Sequence, residues 1–258
     1  MAQLNLKSLI SLVLVALAGV ACSTSPTGRS QMVLKNDQEL AVEAARQFAE
    51  MKANMPLETD RTKIDYIHCV AQAVVMELPP DYRDLDWEMA IFQSDSVNAF
   101  AMPGGKIGVM TGILKAAQNQ DQLAAVIGHE IAHVTARHAN ERASRGSFSN
   151  VGVQVAAVLL GGGHQGATYS AYEALQAGAA LGIMLPFSRS QESEADVIGL
   201  EYMAKAGFDP RESVPLWQNM GQEAEEAPAE FLSTHPSSEK RIDQLVDQFG
   251  TTLKLYNE

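Results

Sequence analysis

The sequence predicts a single α+β domain that is mainly helical and carries one small β-sheet. Apolar residues recur at helical spacing over most of the chain, often after a capping residue. Segments with strand-like patterning are confined to residues 86–110, where Pro103-Gly104-Gly105 indicates a tight turn between two strands. A chain of 258 residues, of which 46% are hydrophobic, is long enough to bury the core of such a domain.

Local signals predict each element in turn. Asn36-Asp37-Gln38-Glu39 has the form of an N-cap with a Glu that follows closely, and Pro79-Pro80 ends the second helical pattern. The predicted helices cover about 36–54, 59–78, 112–117, 119–145, 189–204 and 240–249. The predicted strands cover 86–92, 98–102 and 106–110. The apolar, Gly-rich stretch 147–185 is predicted to form short helices that pack on the core or line a cleft, and the sequence does not decide whether it is a lid. Residues 223–230 are predicted to form an acidic loop.

The charge of the chain argues against one class of partner. It has 19 Lys and Arg residues against 31 Asp and Glu residues, so the formal net charge is −12. An acidic protein repels phosphate backbones, and no long basic run offsets this. We therefore expect no nucleic-acid partner.

The first residues are typical of an export signal. Lys7 precedes the uncharged segment Leu9–Val20, which is too short to span a bilayer comfortably. Residues 1–21 are therefore predicted to be a signal peptide. Gly19-Val20-Ala21-Cys22 resembles the lipobox of bacterial lipoproteins, which implies that Cys22 is lipidated and anchors the protein to a membrane. Cleavage after Ala21 without lipidation is the alternative.

The residues after the signal predict the location of the mature protein. Residues 22–35 are predicted to be the lipidated Cys and a flexible tether, and 36–258 the folded domain. By resemblance to lipoprotein sorting, Ser23 after the Cys implies the outer membrane of a Gram-negative envelope, facing the periplasm. Lipidation of Cys22 would leave Cys69 without an intramolecular disulfide partner, so Cys69 is predicted to be a small buried apolar residue.

The strongest chemical signal is His129-Glu130-Ile131-Ala132-His133 in a predicted helix. Residues four apart lie one turn along on nearly the same helix face, so both imidazoles can reach one metal ion. Glu130 is offset from them and can contact the attacking water as general base. His138, five residues after His133, is predicted to be a solvated helix histidine.

Glu192 and Asp196 are again four residues apart, on a later predicted helix. One of the two carboxylates could ligate the metal, and the other could accept a hydrogen bond from the far nitrogen of a ligand His. By itself this spacing is weak evidence, because it is usual on solvated helix faces. Its value comes from its pairing with the HExxH motif.

Together these motifs resemble the zinc metallopeptidase family that includes the CAAX prenyl endopeptidase, HtpX and Oma, and they are most similar to its soluble bacterial lipoprotein members. The family carries HExxH and then E-x-x-A-D, here Glu192-Ser193-Glu194-Ala195-Asp196. The resemblance implies a mainly helical zincin-like domain with the sheet beside the HExxH helix. It implies one zinc per chain, held by His129, His133 and Glu192, with Asp196 orienting a ligand His and Glu194 structural.

Two further segments extend the resemblance. Asn98-Ala99-Phe100-Ala101-Met102 resembles the family's strand before the catalytic helices and is predicted to hold substrate as an added strand. Thr234-His235-Pro236 with Arg241 resembles the family's terminal element, and both His235 and Arg241 suit stabilisation of an oxyanion. His235 could instead be a fourth, inhibitory metal ligand, and the bland alternative for the pair is a helix cap with a surface His and a salt-bridged Arg.

The expected function is endoproteolysis of misfolded or unassembled envelope proteins, with Glu130 as base and then as acid. The quality-control role is implied by the resemblance alone. A chaperone or assembly factor that uses the same cleft is the alternative from another class. A non-proteolytic metal hydrolase would suit the same ligands, but the strand and terminal motifs favour a peptidase.

Overall fold

The computed structural model of the protein describes residues 22–146, 187–226, 231–232, 235 and 239–257. Their contacts divide the chain into two compact units. The described parts of the first unit are 22–36 and 140–146, and the rest of the described residues form the second. Residues 140–146 thus group with the N-terminal segment, and the single domain over 36–258 stays a prediction. The predicted signal peptide and the stretch 147–185 lie outside the described residues.

The first unit contains an antiparallel hairpin. Strands β1 (Cys22–Thr24) and β2 (Ser30–Met32) pair in it across a turn that contains Gly28 at φ 87°. Arg29 donates two hydrogen bonds, of 2.9 and 2.8 Å, to the buried carboxylate of Glu141. Residues 22–32 of the predicted tether thus form a paired hairpin, because the composition typical of a tether is equally typical of a hairpin turn.

The second unit confirms the mainly helical α+β architecture. Its first four helices are α1 (Asp37–Asn54), α2 (Arg61–Met76), α3 (Pro80–Arg83) and α4 (Ile113–Ala116). The later helices of this unit are α5 (Gln120–Thr135), α7 (Arg189–Lys205), α8 (Ser213–Glu226) and α9 (Glu239–Tyr256). A further helix, α6, covers residues 138–146, of which only 138 and 139 belong to the second unit. Helix α8 was not predicted, and it includes the start of the supposed acidic loop at 223–230. None of the described helices combines the length and the apolar character required to cross a membrane.

A three-stranded sheet lies beside α5, as predicted. It consists of β3 (Glu88–Phe92), β4 (Ala99–Met102) and β5 (Lys106–Met110), in the order β3-β5-β4. Strand β5 is central, parallel to β3 and antiparallel to β4. Strand β4 therefore forms one edge of this sheet, and α5 packs against it.

Helix α5 is buried on nearly every side, which is typical of a helix at the centre of a domain. Asn119 caps its start by accepting a hydrogen bond from the Gln122 backbone N–H. The single helix predicted over 119–145 is wrong in one respect. The chain leaves α5 after Thr135, and Arg137 adopts a left-handed conformation (φ 57°) before helix resumes at 138. The apolar periodicity continues across this break, so the pattern alone did not reveal it.

Candidate metal centre

Two capped helices supply the central residues of the site. Helix α5 carries His129, Glu130 and His133, all of them at most 3% exposed. Helix α7 carries Glu192 and begins with a capping box, in which Ser188 and Gln191 exchange hydrogen bonds. The cap fixes the first turn of α7, which is the turn that contains Glu192.

The close approach of α5 and α7 depends on two glycines. A Cβ added at Gly199 would lie 2.8 Å from the backbone nitrogen of His129, and one added at Gly128 would lie 2.8 Å from the carbonyl oxygen of Gly199. Any side chain larger than a hydrogen would therefore push the helices apart. The glycines let the carboxylates of α7 reach the histidines of α5.

The side chains converge on one point. His129 Nε2 lies 3.1 Å from His133 Nε2 and 3.5 Å from Glu192 Oε2, and His133 Nε2 lies 3.5 Å from Glu192 Oε1. His235 joins them, with its Nδ1 at 3.2 Å from His129 Nε2 and 3.1 Å from Glu192 Oε1. The structure thus brings together the three predicted ligands and His235, and their four ligand atoms lie within 4.8 Å of one another.

The residues of this cluster fit a zinc ion. Tetrahedral ligands at zinc–nitrogen distances lie roughly 3.3–3.4 Å apart, close to the spacings found here. Glu130 Oε1 and Glu192 Oε2 are buried and accept no hydrogen bond within the described part of the chain. Arg241 Nη1 lies 3.0 Å from Glu192 Oε2, but the two atoms are not aligned for a hydrogen bond. Imidazole and carboxylate are also the ligand types that zinc takes. The metal would be held by His129, His133 and Glu192.

Glu130 lies at the edge of the cluster rather than within it. Its Oε1 is 3.4 Å from His235 Nε2, and the backbone N–H of Ala101 in β4 donates a hydrogen bond to its carboxylate. Burial raises the pKa of Glu130, although the nearby histidines oppose this. A buried carboxylate with an orphaned oxygen and a raised pKa is suited to exchange protons.

Asp196 lies next to the ring nitrogen of His129 that faces away from the ligand cluster, and its role in orienting His129 stays a prediction. Its Oδ1 lies 3.0 Å from His129 Nδ1. Burial alone would lower the pKa of His129, but the adjacent carboxylates of Asp196 and Glu192 outweigh it and raise that pKa to about 9. Burial alone would raise the pKa of Glu192, but the adjacent His129 and His235 outweigh it and hold that pKa well below its usual range.

Arg241 contacts a different group from the one that sequence reasoning suggested. Its Nε and Nη2 each donate to Asp196 at 2.7 Å, and its guanidinium lies 3.4 Å from the centre of the Trp217 ring. Arg241 is therefore salt-bridged, as the bland alternative had it, but His235 is 3% exposed, so the surface histidine of that alternative is wrong. The oxyanion role of Arg241 stays a prediction.

Sequence reasoning misplaced two residues: Cys69, predicted to be buried, is exposed, and His138 differs in the opposite sense. Predicted to be solvated, it is completely buried. Its Nδ1 lies 2.8 Å from His133 Nδ1, and its Nε2 lies 3.1 Å from Glu194 Oε2. On an unbroken helix, five residues correspond to a rotation of roughly 140° away from His133. The left-handed Arg137 redirects the chain, and no sequence pattern that we used indicated it.

Strand β4, predicted to receive substrate, is an edge strand within the described sheet. Met110 N–H donates to the Asn98 carbonyl oxygen, and alternation along an antiparallel pair then turns the main-chain groups of Ala99 and Ala101 away from β5. Ala101 already uses this direction to reach Glu130. Phe100 instead packs in an aromatic group with Phe48 and Phe92.

Comparison with known proteins agrees with this geometry. Residues 62–248 match the model of peptidase family M48. The mitochondrial metalloendopeptidase OMA1 of Schizosaccharomyces pombe is 40% identical over 164 residues, which are 63% of this chain and 46% of that protein. The putative beta-barrel assembly-enhancing protease of Vibrio cholerae is 32% identical over 213 residues, which are 80% of this chain and 43% of that protein.

A third relative is the beta-barrel assembly-enhancing protease of Escherichia coli K12. It is 29% identical over 198 residues, which are 75% of this chain and 40% of that protein. The chain therefore spans less than half the length of each of these three relatives.

Proposed function

This chain belongs to peptidase family M48, and on that premise we propose that it is a zinc-dependent endopeptidase of the bacterial envelope. The observation that carries the proposal is the buried cluster of His129, His133 and Glu192, with the orphaned oxygen of Glu130 at its edge. Three protein ligands with a carboxylate beside them suit metal-assisted hydrolysis.

The proposed mechanism assigns one task to each side chain. Bound zinc supplies Lewis-acid polarisation of the scissile carbonyl and makes the attacking water more acidic. Glu130 takes a proton from that water as it attacks and then passes it to the leaving amine. Burial raises the pKa of Glu130, which favours uptake of the proton from the attacking water. Asp196 holds His129 with its Nε2 towards the ligand cluster.

Substrate is proposed to bind as an added strand along β4. The outward main-chain groups of Ala99 and the outward carbonyl oxygen of Ala101 are suited to pair with an extended peptide. Ala101 N–H also contacts Glu130, so a peptide on this edge would run past the general base. Recognition through main-chain groups depends little on side-chain sequence, which suits unfolded proteins as substrates.

His235 is proposed to hold the site in a resting state. Its Nδ1 lies 3.1–3.2 Å from atoms of Glu192 and His129, so it occupies the position of a fourth ligand. Structural zinc sites have four protein ligands, whereas catalytic sites keep one position for water. Displacement of His235 would therefore open the site, and Arg241 remains a candidate for contact with the oxyanion.

The physiological substrates are proposed to be misfolded or unassembled periplasmic and outer-membrane proteins. Support comes from the export signal and lipobox-like Cys22 in the sequence, and from relatives named as beta-barrel assembly-enhancing proteases. The lipid on Cys22 would place the enzyme at the outer membrane of a Gram-negative bacterium.

The test compares the purified protein with its Glu130→Gln variant in cleavage of unfolded casein. We expect one zinc per chain, cleavage that stops with a chelator and returns with zinc, and at least a 100-fold slower rate for Glu130→Gln with zinc retained. Glu201→Gln, on the outer part of α7, is the matched control and should cleave normally. Full metal-dependent cleavage by Glu130→Gln would overturn the mechanism.

A chaperone or assembly role is the outcome to separate from proteolysis. If the Glu130→Gln variant cuts nothing but still prevents aggregation of unfolded protein and complements a deletion strain, binding rather than cleavage is the function. If complementation is lost together with cleavage, the peptidase activity is the one that the cell uses.

A further inference from the structure

The far nitrogen of His133 faces a second histidine. His133 directs Nε2 to the ligand cluster, and its Nδ1 lies 2.8 Å from His138 Nδ1. His138 Nε2 in turn lies 3.1 Å from Glu194 Oε2. All three side chains are at most 4% exposed. The three groups thus form a continuous buried chain of hydrogen-bonding atoms that leads away from the metal position.

Proton placement along this chain has one consistent solution. A neutral His133 that offers Nε2 to a metal carries its proton on Nδ1 and donates it. His138 must then accept at Nδ1, so its own proton is on Nε2. That N–H points at the carboxylate of Glu194. An ionised carboxylate has no proton to donate, so it can only accept the hydrogen bond. Glu194 therefore selects the tautomer of His138, and His138 selects the tautomer of His133.

The backbone is shaped to make this contact. Arg137, with φ at 57°, ends one helix and lets the next begin at 138, which turns the His138 ring back towards α5. A left-handed conformation at a residue other than Gly is uncommon and costs energy. Glu194 comes from α7, two residues from Glu192, so the contact also joins the two helices that supply the ligands.

We propose that His138 and Glu194 are positioning residues that hold His133 as a metal ligand, as Asp196 holds His129. A carboxylate of α7 would then support each of the two ligand histidines. Asp196 contacts His129 directly, at 3.0 Å, whereas Glu194 acts on His133 through His138. Such partners fix the ring orientation of a ligand His and its basicity. The inference rests on the zinc site of the proposed function, but not on peptidase activity.

The zinc affinities of two variants at position 138 distinguish a positioning role of His138 from a packing role. His138→Leu keeps the bulk of the side chain but removes the hydrogen bonds, whereas His138→Gln offers one acceptor and one donor. We expect His138→Leu to weaken zinc binding about 10–100-fold, measured by competition with a chelator on the full chain, and His138→Gln to recover part of the loss. A packing role predicts the reverse order, with Leu at least as good as Gln, and would overturn the proposal.

A matched control comes from the same pair of helices. Tyr202 on α7 donates a buried hydrogen bond to Thr135 on α5, at 3.2 Å, without contact to a ligand. Tyr202→Phe should leave zinc affinity within about twofold, since it removes only a structural hydrogen bond.

Glu194→Met should weaken zinc binding as much as His138→Leu, and the double variant no more than either, because the two act in series. Additive losses would contradict the relay.

A measurement on the unaltered protein keeps the proposal testable if the variants do not fold. The ¹⁵N chemical shifts of the zinc-bound protein report which ring nitrogen of each histidine carries a proton. We expect His133 with the proton on Nδ1 and His138 with the proton on Nε2. A His138 protonated on Nδ1 alone would exclude acceptance from His133 and overturn the inference. If zinc binds with these tautomers but no peptide is cut, the proposed function fails and the relay stands.

Discussion

Arg241 donates from Nε and Nη2 to the two carboxylate oxygens of Asp196, at 2.7 Å each. The same carboxylate lies 3.0 Å from the Nδ1 of His129, and Arg241 Nη2 itself lies 3.2 Å from that nitrogen, so a residue of the last described helix contacts a proposed ligand both directly and through Asp196. Trp217 covers the other side of the guanidinium. Because the ion pair is buried, its loss should have a large effect on the whole site.

Replacement of Arg241 by Met should destabilise the protein strongly. The change leaves the buried carboxylate of Asp196 without its charged donors, and removal of one partner of a buried ion pair costs about 3–5 kcal/mol. Urea unfolding of the metal-free protein measures this as a lower midpoint. The zinc-bound form should show the same loss or more.

The control for Arg241 is an exposed pair of the same chemistry. Arg211 donates to both oxygens of Asp209, but its side chain is 60% exposed. Arg211→Met should cost about 0–1 kcal/mol, because water already screens this pair. Equal losses for the two variants would mean that burial does not set the strength of the Arg241 contact.

Replacement of Gly199 by Ala should damage the metal site without touching a ligand. The added methyl group would meet the His129 backbone at 2.8 Å and force α7 away from α5. We expect weaker zinc binding and a loss of stability of about 1–3 kcal/mol, measured by chelator competition and urea unfolding. Gly221→Ala, in a helix with open space around it, should instead stabilise by about 0.5–1 kcal/mol. If Gly199→Ala binds zinc as well as the unaltered protein, the close approach is not required.

Replacement of His235 by Ala should raise the basal rate of cleavage while zinc affinity falls on the order of 10-fold, since the site loses a fourth ligand. The two readouts are casein cleavage and chelator competition. His68→Ala, at a histidine on α2, should change neither. Loss of cleavage with zinc retained in His235→Ala would show instead that His235 assists catalysis.

Zinc binding at pH 7.5 should release close to one proton, and that proton should come from His129. The raised pKa of His129, about 9, keeps it protonated at this pH, whereas burial holds the pKa of His133 well below 6.5 and that of Glu192 is also lowered. Zinc affinity should therefore rise as the pH increases towards 9. Calorimetry in buffers of different ionisation enthalpy measures the release.

Asp196→Asn provides the contrast for this measurement. It removes a hydrogen bond that raises the pKa of His129, so fewer protons should be released at pH 7.5. The same pKa makes protonated His129 a source of stability in the metal-free protein. That contribution is complete below about pH 6.5 and is lost as the pH rises through about 9. Unchanged proton release in Asp196→Asn would assign the proton to another group.

Much of the site could be read from the chain directly. Residues four apart on a helix share a face whatever surrounds them, so HExxH and Glu192 with Asp196 indicated their geometry before any fold was known. The caps at Asn119 and Ser188 are equally local. The strand-like patterns on either side of Pro103-Gly104-Gly105 are also local, and they predicted that β4 and β5 lie side by side across a tight turn.

The sequence by itself therefore determined the helix that carries HExxH, the types of side chain that meet in the cluster and the order of the elements. Only the tertiary structure decided that His138 is buried against His133 and that Arg241 donates to Asp196. The same holds for the ion pair of Arg29 with Glu141, which are 112 residues apart in the chain. Local patterns report neighbours within about one helical turn. Contacts between distant segments depend on one left-handed residue, Arg137, and on the space left by Gly128 and Gly199, and neither gives a periodic signal.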